Sequence, residues 1–450
     1  MAQGTPLVLL IKMVRSIVLL ACVAVAAAQF ANTATLANPN PTGSFAPQAS
    51  PNFPNINAQY AAVAVASGVP TGTIVPTGPL PTTSTLSGYP PTWTTPPTNS
   101  AEVQAAIQAI NWGLVPNASV HTANSAGTLN TAGYSAADAY CWWSYSLCSV
   151  PKVSYLPPDI YYCPEPDTWG LSFDDGPLNP ATPGQPDEWA EPNLYNSLAA
   201  HNQKATLFYI GSNVLTYPQA AQRALADGHT LCVHTWSHPP MTTKTNDELV
   251  AELYWTLKVI KEVTGVTPKC WRPPYGDVDD RVRSIAWQMG MRTVLWDWDS
   301  NDWDMPGTGG GNLSPSTVDS YFTTWIADAN KTPNGHIVLQ HELNNATVAM
   351  AEKWLPQVQA AFKVVPATQC FNITHPYWET NFQYASFDGS LSASASASAT
   401  ISGSASAAGA STKASASAQG ASSSSTSGAQ SIKVAAGSLF AVLVAAIAIL

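Results

Sequence analysis

The chain has 450 residues, and only 10% of them are charged, against about 25% in an ordinary soluble domain. Its formal net charge is −10, with no basic stripe to neutralise phosphates, which excludes nucleic acid as a partner. Ala, Ser, Thr, Pro and Asn fill both ends, so the residues able to build a core are concentrated in the middle.

Residues 1–28 read as a secretory signal. Lys12 and Arg15 precede the apolar run Ile17 to Ala27, and Ala26-Ala27-Ala28 offers a small-residue cleavage site before Gln29. Met13 is an alternative start. In an oxidising compartment Cys141, Cys148, Cys163, Cys232, Cys270 and Cys370 are expected to form disulfides, with the pairing left open. No CxxC pair is present, which argues against a cysteine zinc site. N-glycosylation acceptors stand at Asn117, Asn312, Asn330, Asn345 and Asn372.

Residues 29–100 are rich in Pro, Thr, Ser and Asn without apolar periodicity, and predict a disordered stalk. Residues 101–160 predict an extension packed on the main domain. Val103, Ala106, Ile107, Ile110 and Leu114 give a helical pattern over 101–114, and an aromatic, cysteine-rich collar starts at Tyr140.

Residues 161–385 alternate strand and helix. Strands are predicted at 169–173, 207–210, 230–233, 293–298, 336–339 and 364–365. Helices are predicted at 220–226, 247–264, 280–289, 318–329 and 348–362, the second capped by Asn246 and stopped by Gly265. Repeated strand–helix units imply parallel strands with helices outside, an α/β barrel. Residues 386–427 form a Ser/Ala-rich linker. The small triplet Ser427-Gly428-Ala429 is followed by the apolar tail Val434 to Leu450, and 428–450 read as a GPI-attachment propeptide with Ser427 as the acceptor. The expected location is therefore the outer face of the cell membrane and the cell wall. A tail-anchor helix is the alternative. Nothing in the chain calls for an obligate protein partner.

Polar clusters fall at the C-terminal ends of the predicted strands, where barrel enzymes keep their chemistry. The first is Ser172-Phe173-Asp174-Asp175-Gly176-Pro177. Neighbouring strand residues point to opposite faces, so the two carboxylates are free to take different tasks. The second is His234-Thr235-Trp236-Ser237-His238, whose histidines share a face if the loop opens a helical turn. Two neutral imidazoles and a carboxylate suit a catalytic divalent metal. Next come Arg272-Pro273-Pro274-Tyr275-Gly276, a stiff loop able to aim Arg272 at a carboxylate, and Asp299-Ser300-Asn301-Asp302-Trp303. The last is Leu339-Gln340-His341, with an imidazole suited to act as an acid beside an Asp.

Taken in order, these clusters resemble the motifs of the polysaccharide deacetylases (the NodB-homology family), over roughly residues 160–385. With the secretion and GPI signals, the chain is similar to the fungal chitin-deacetylating branch. The resemblance implies a distorted (β/α) barrel and metal-dependent removal of N-acetyl groups from chitin, in the formation of cell-wall chitosan. It implies Asp174 as catalytic base and Asp175, His234 and His238 as ligands of one divalent ion, usually Zn2+, with Co2+ an alternative. It further implies Arg272 as the residue orienting the base, His341 as catalytic acid, and Asp302, or alternatively Asp299, as the carboxylate tuning it. The Tyr275 backbone N–H would serve the oxyanion and Leu339 would form the wall for the acetyl methyl. Trp236 and Trp303 are candidates for stacking on sugar faces, or else core residues. A xylan acetyl esterase, a peptidoglycan deacetylase and a non-catalytic glycan-binding wall protein are the competing readings.

Overall fold

The structure, a computed structural model, describes residues 51–53, 86–124, 128–178, 193–380 and 382–391. The signal segment, most of the stalk, most of the linker, Ser427 and the tail 428–450 lie outside the described residues.

The sheet is organised around β2 (Thr168–Gly176), which is buried along its whole length. Such a strand reads as a continuous apolar run because both faces are covered. β3 (Thr206–Tyr209), β4 (Thr230–Val233), β5 (Cys270–Trp271) and β6 (Arg292–Thr293) follow it in parallel on one side. On the other side lies β8 (Gly335–His341), parallel to β2 and carrying β7 (Trp298–Asp299) and the antiparallel β1 (Tyr162–Cys163). β9 (Lys363–Pro366) also pairs with β2. Ile160 bridges Val294, just beyond β6, so the two ends of the curled sheet meet. The parallel strands are those the strand–helix repeat predicts, and their curling gives the distorted barrel that the family resemblance implies.

The helices cover the outside. The principal one, α6 (Asn246–Thr264), is capped by Thr245 rather than the expected Asn246. The Thr245 side chain accepts from the Glu248 N–H while Glu248 accepts from the Thr245 N–H, and Gly265 closes the other end at φ +81°. The predicted strand 293–298 is two short strands, β6 and β7. The predicted helix 101–114 is α1 (Ala101–Ala109) followed by a separate 3-10 turn, because Ile110 takes an extended φ/ψ.

The disulfides join Cys141 to Cys148, Cys163 to Cys370 and Cys232 to Cys270. The second ties β1 to the C-terminal part of the domain across 207 residues, and the third staples the neighbouring strands β4 and β5. The stalk boundary expected at residue 100 is corrected. Leu86 and Tyr89 pack on the core, Tyr89 Oη donates to Glu262, and Trp236 Nε1 donates to the Pro91 carbonyl. Residues 86–99 are thus a strap on the domain, anchored by aromatic contacts that a local sequence pattern does not reveal. No helix among the described residues is long and apolar enough to cross a membrane.

Candidate active site

Asp174 and Asp175 stand at the C-terminal end of β2, as expected, yet they do not face apart. The β2–β3 register shifts between Asp174 and Gly176, and Asp175 takes φ +73°. A bulge of this kind breaks the alternation of the pleat. It turns both carboxylates toward one imidazole: His234 Nε2 lies 3.6 Å from Asp174 Oδ2 and 3.5 Å from Asp175 Oδ1.

The histidine loop 234–238 is not a helical turn. Thr235 and His238 take φ of +66° and +58°, and this sharp turn brings His238 Nε2 to 3.2 Å from Asp175 Oδ1. A buried carboxylate, Glu252 of α6, holds the loop's shape. Its Oε2 accepts from the Trp236 and Ser237 N–H groups at 2.8 and 2.9 Å, and its Oε1 accepts from Ser237 Oγ at 2.5 Å. Glu252 was missed from the sequence, although a Glu three residues after Leu249 on the apolar face of a helix is a visible signal.

Arg272 is wholly buried. Its Nη1 donates to Asp174 Oδ1 at 2.7 Å and to Ser172 Oγ at 3.0 Å, its Nη2 to the Leu295 carbonyl and its Nε to the Val294 carbonyl. With so many contacts this guanidinium has one orientation, and it fixes that of Asp174. Stranding Asp174 here by removing Arg272 costs about 3–5 kcal/mol. The following loop is clamped by the collar. Asp277 accepts from Trp142 Nε1, Ser144 Oγ and both the N–H and hydroxyl of Thr242. At Gly276, φ +67°, a Cβ would lie 2.7 Å from the Trp143 ring. The collar therefore sets where Tyr275 stands, a role with no local sequence signal. Tyr275 is exposed, and its Oη lies 3.2 Å from His238 Nδ1.

His341 ends β8, and its Cα partner across the ladder is Asp174. Asp302 grips it twice, with Oδ1 accepting from Nδ1 at 2.7 Å and Oδ2 from the backbone N–H at 3.0 Å. Of the two carboxylates left open by the sequence, Asp302 is the partner; Asp299 Oδ1 is spent on the Asn301 N–H. Leu339 lies two residues before His341 on the same strand face and is 4% exposed. Trp303 is 44% exposed, its ring open to solvent. Trp236 is not. It is 0% exposed, stacked under Tyr89 of the strap, and is a core residue rather than a sugar platform. Of the sequons, Asn117, Asn312, Asn330 and Asn372 are exposed. Asn345 is half-buried as the first residue of α9 (Asn345–Ala361), and the hydroxyl of its sequon Thr347 is engaged in the cap of that helix.

Burial raises Asp175 above the usual carboxylate range, and burial pulls His234 and His238 down to about 4 despite the nearby aspartates. Both imidazoles are thus neutral. His234 Nδ1 donates to the Arg272 carbonyl at 2.7 Å, which leaves its Nε2 lone pair aimed at Asp175. Asp175 Oδ1 is buried without a hydrogen-bond donor. One carboxylate oxygen and two imidazole nitrogens within 4.8 Å of one another form a donor set that fits a divalent cation. His341 behaves oppositely. Burial acts to lower it, but Asp302, with Asp175 and Asp174, holds it up to about 9.

Comparison with known proteins agrees with this geometry. The sequence model of the polysaccharide deacetylase family matches residues 161–294. A chitin deacetylase of Amylomyces rouxii is 43% identical over 306 residues, covering 66% of this chain and 69% of its own. Chitin deacetylase 2 of Cryptococcus neoformans var. grubii is 41% identical over 322 residues, covering 69% of this chain and 68% of its own. The chain belongs to the polysaccharide deacetylase family, a class of metalloenzymes.

Proposed function

We propose that this protein hydrolyses the N-acetyl groups of chitin, releasing acetate and leaving glucosamine units, and that it does so at the cell surface. The observation that carries the reading is the pairing of a cation-binding trio (Asp175, His234, His238) with an oriented base (Asp174) and a raised acid (His341) at one strand-end rim. The relatives' printed activity supplies the substrate.

Asp175 and the two Nε2 atoms would hold the ion, for which we favour Zn2+, with Co2+ the alternative. Such an ion, when bound, polarises an amide carbonyl and makes a water more acidic. Asp174 takes the proton of the attacking water, because Arg272 holds its Oδ1 and leaves Oδ2 on the side of His234. The Tyr275 backbone N–H is offered to the developing oxyanion. His341 donates its Nδ1 proton to Asp302, so Nε2 carries the proton delivered to the departing amine. Leu339 walls the acetyl methyl, and Trp303 is placed to stack on a sugar ring.

Secretion, GPI attachment at Ser427 and glycan occupancy at the exposed sequons form part of the same reading. The leader, the tail and the disulfides support them. The deciding experiment compares acetate release from chitin oligomers and from acetylated xylan. Release from chitin oligomers alone is expected. Release only from xylan would replace this reading by a xylan esterase, and release from neither by a glycan-binding protein.

A further inference from the structure

The strap carries one residue that its packing does not explain. Trp93 is 53% exposed, more than Trp303, and its ring stacks on no other ring among the described residues. Its φ of +59° lies in the left-handed region, an uncommon conformation for so bulky a side chain. Exposure of a large apolar ring and a left-handed backbone are both unfavourable, yet the surrounding contacts impose both. The Trp93 N–H donates to Ser212 Oγ at 2.9 Å, and Ser212 Oγ donates to the Trp236 carbonyl at 2.5 Å. Two residues earlier, the Pro91 carbonyl accepts from Trp236 Nε1 at 3.0 Å. Backbone outliers that the structure over-determines in this way collect at ligand sites.

The anchor also locates Trp93. Ser212 is the second residue of α4 (Gly211–Thr216), which follows the C-terminal end of β3, on the rim that carries the chemistry. Its neighbour Asn213 donates to the Asp175 carbonyl at 2.7 Å, and Trp236 lies between the two histidines of the cation trio. Trp93 is thus two hydrogen bonds from the histidine loop, while Trp303 directly follows Asp302, the partner of His341.

We propose that Trp93 is an outlying sugar subsite, stacking its exposed ring on the apolar face of a hexosamine unit of a polymer that runs past Asp174 and His341. It rests on the chitin reading and adds a length preference to it. An N-acetylhexosamine offers an apolar ring face to an aromatic. A unit already deacetylated offers, in addition, an ammonium that favours the π-face. Trp93 lies outside the span 161–294 matched by the family model, so this subsite belongs to the strap.

The test is kcat/KM for acetate release from a dimer and a hexamer of N-acetylglucosamine, in the wild type, Trp93→Ala and Trp93→Phe. We expect Trp93→Ala to lose about tenfold on the hexamer while the dimer stays within about twofold, and Trp93→Phe to recover most of the loss. Equal loss on both lengths would make Trp93 a structural part of the strap and overturn the proposal, as would no loss on either. Failure of the wild type to release acetate from any chitin oligomer would remove the parent reading and this one with it. Release by the wild type with a length-independent Trp93→Ala effect would remove this one alone.

Discussion

His234 and His341 are both buried imidazoles at one strand-end rim, each beside an aspartate, and they are driven in opposite directions. His234 gives its Nδ1 proton to a backbone carbonyl, that of Arg272, and burial takes it down to about 4. His341 gives its Nδ1 proton to the carboxylate of Asp302; burial acts to lower it, yet that charge holds it up to about 9. The difference teaches that the partner on the far ring nitrogen decides the task. A neutral partner leaves a lone pair for a cation, whereas an anionic partner keeps a proton ready for transfer.

The largest expected effect is at Asp174, the proposed base. Asp174→Asn removes the proposed proton acceptor while keeping its shape, and acetate release from chitin oligomers is expected to fall at least about a thousandfold. Melting temperature should show that the fold survives. Chelation comes next. Dialysis against a strong chelator should abolish turnover, and adding back Zn2+ should restore it, with metal content followed by elemental analysis. Activity that persists in metal-free protein would take the cation out of the trio.

Smaller effects sharpen the same contrast. Glu252→Gln places an amide donor against the donors of the histidine loop, since Glu252 accepts from the Trp236 and Ser237 N–H groups and from Ser237 Oγ. It should weaken metal affinity by about tenfold in a chelator competition, with turnover near normal once metal saturates. Asp299→Asn should change turnover by less than about twofold, because Asp302 and not Asp299 holds His341.

Much of this site was legible in the sequence. Strand-end clusters gave the positions of Asp174, Asp175, His234, His238, Arg272 and His341, because an apolar run followed by polar residues marks a strand's functional end. The geometry within the clusters was not legible. The Asp pair shares one side through a bulge and a left-handed Asp175, where a regular pleat would have split it. The histidines converge through a turn with two positive φ values, where a helix was the simpler expectation. The choice of Asp302 over Asp299 depends on the register of β7 against β8 and on the 3-10 turn after it, which no periodicity reports. Trp236 was open between sugar platform and core because its cover, Tyr89, lies 147 positions earlier in a segment that reads as stalk.

In the proposed mechanism a carboxylate partner makes His341 the acid. The pH dependence of kcat/KM for chitin-oligomer deacetylation in the wild type and in Asp302→Asn tests it most directly. His341 must be protonated to act, and its value is raised, so activity is retained below that value and lost as pH rises through it. The wild-type alkaline limb should therefore lie above the ordinary imidazole value of 6.5, toward 9. In Asp302→Asn it should move down toward or below 6.5, since burial then acts unopposed by that charge. An alkaline limb that stays in place when Asp302 loses its charge would contradict the assignment of His341.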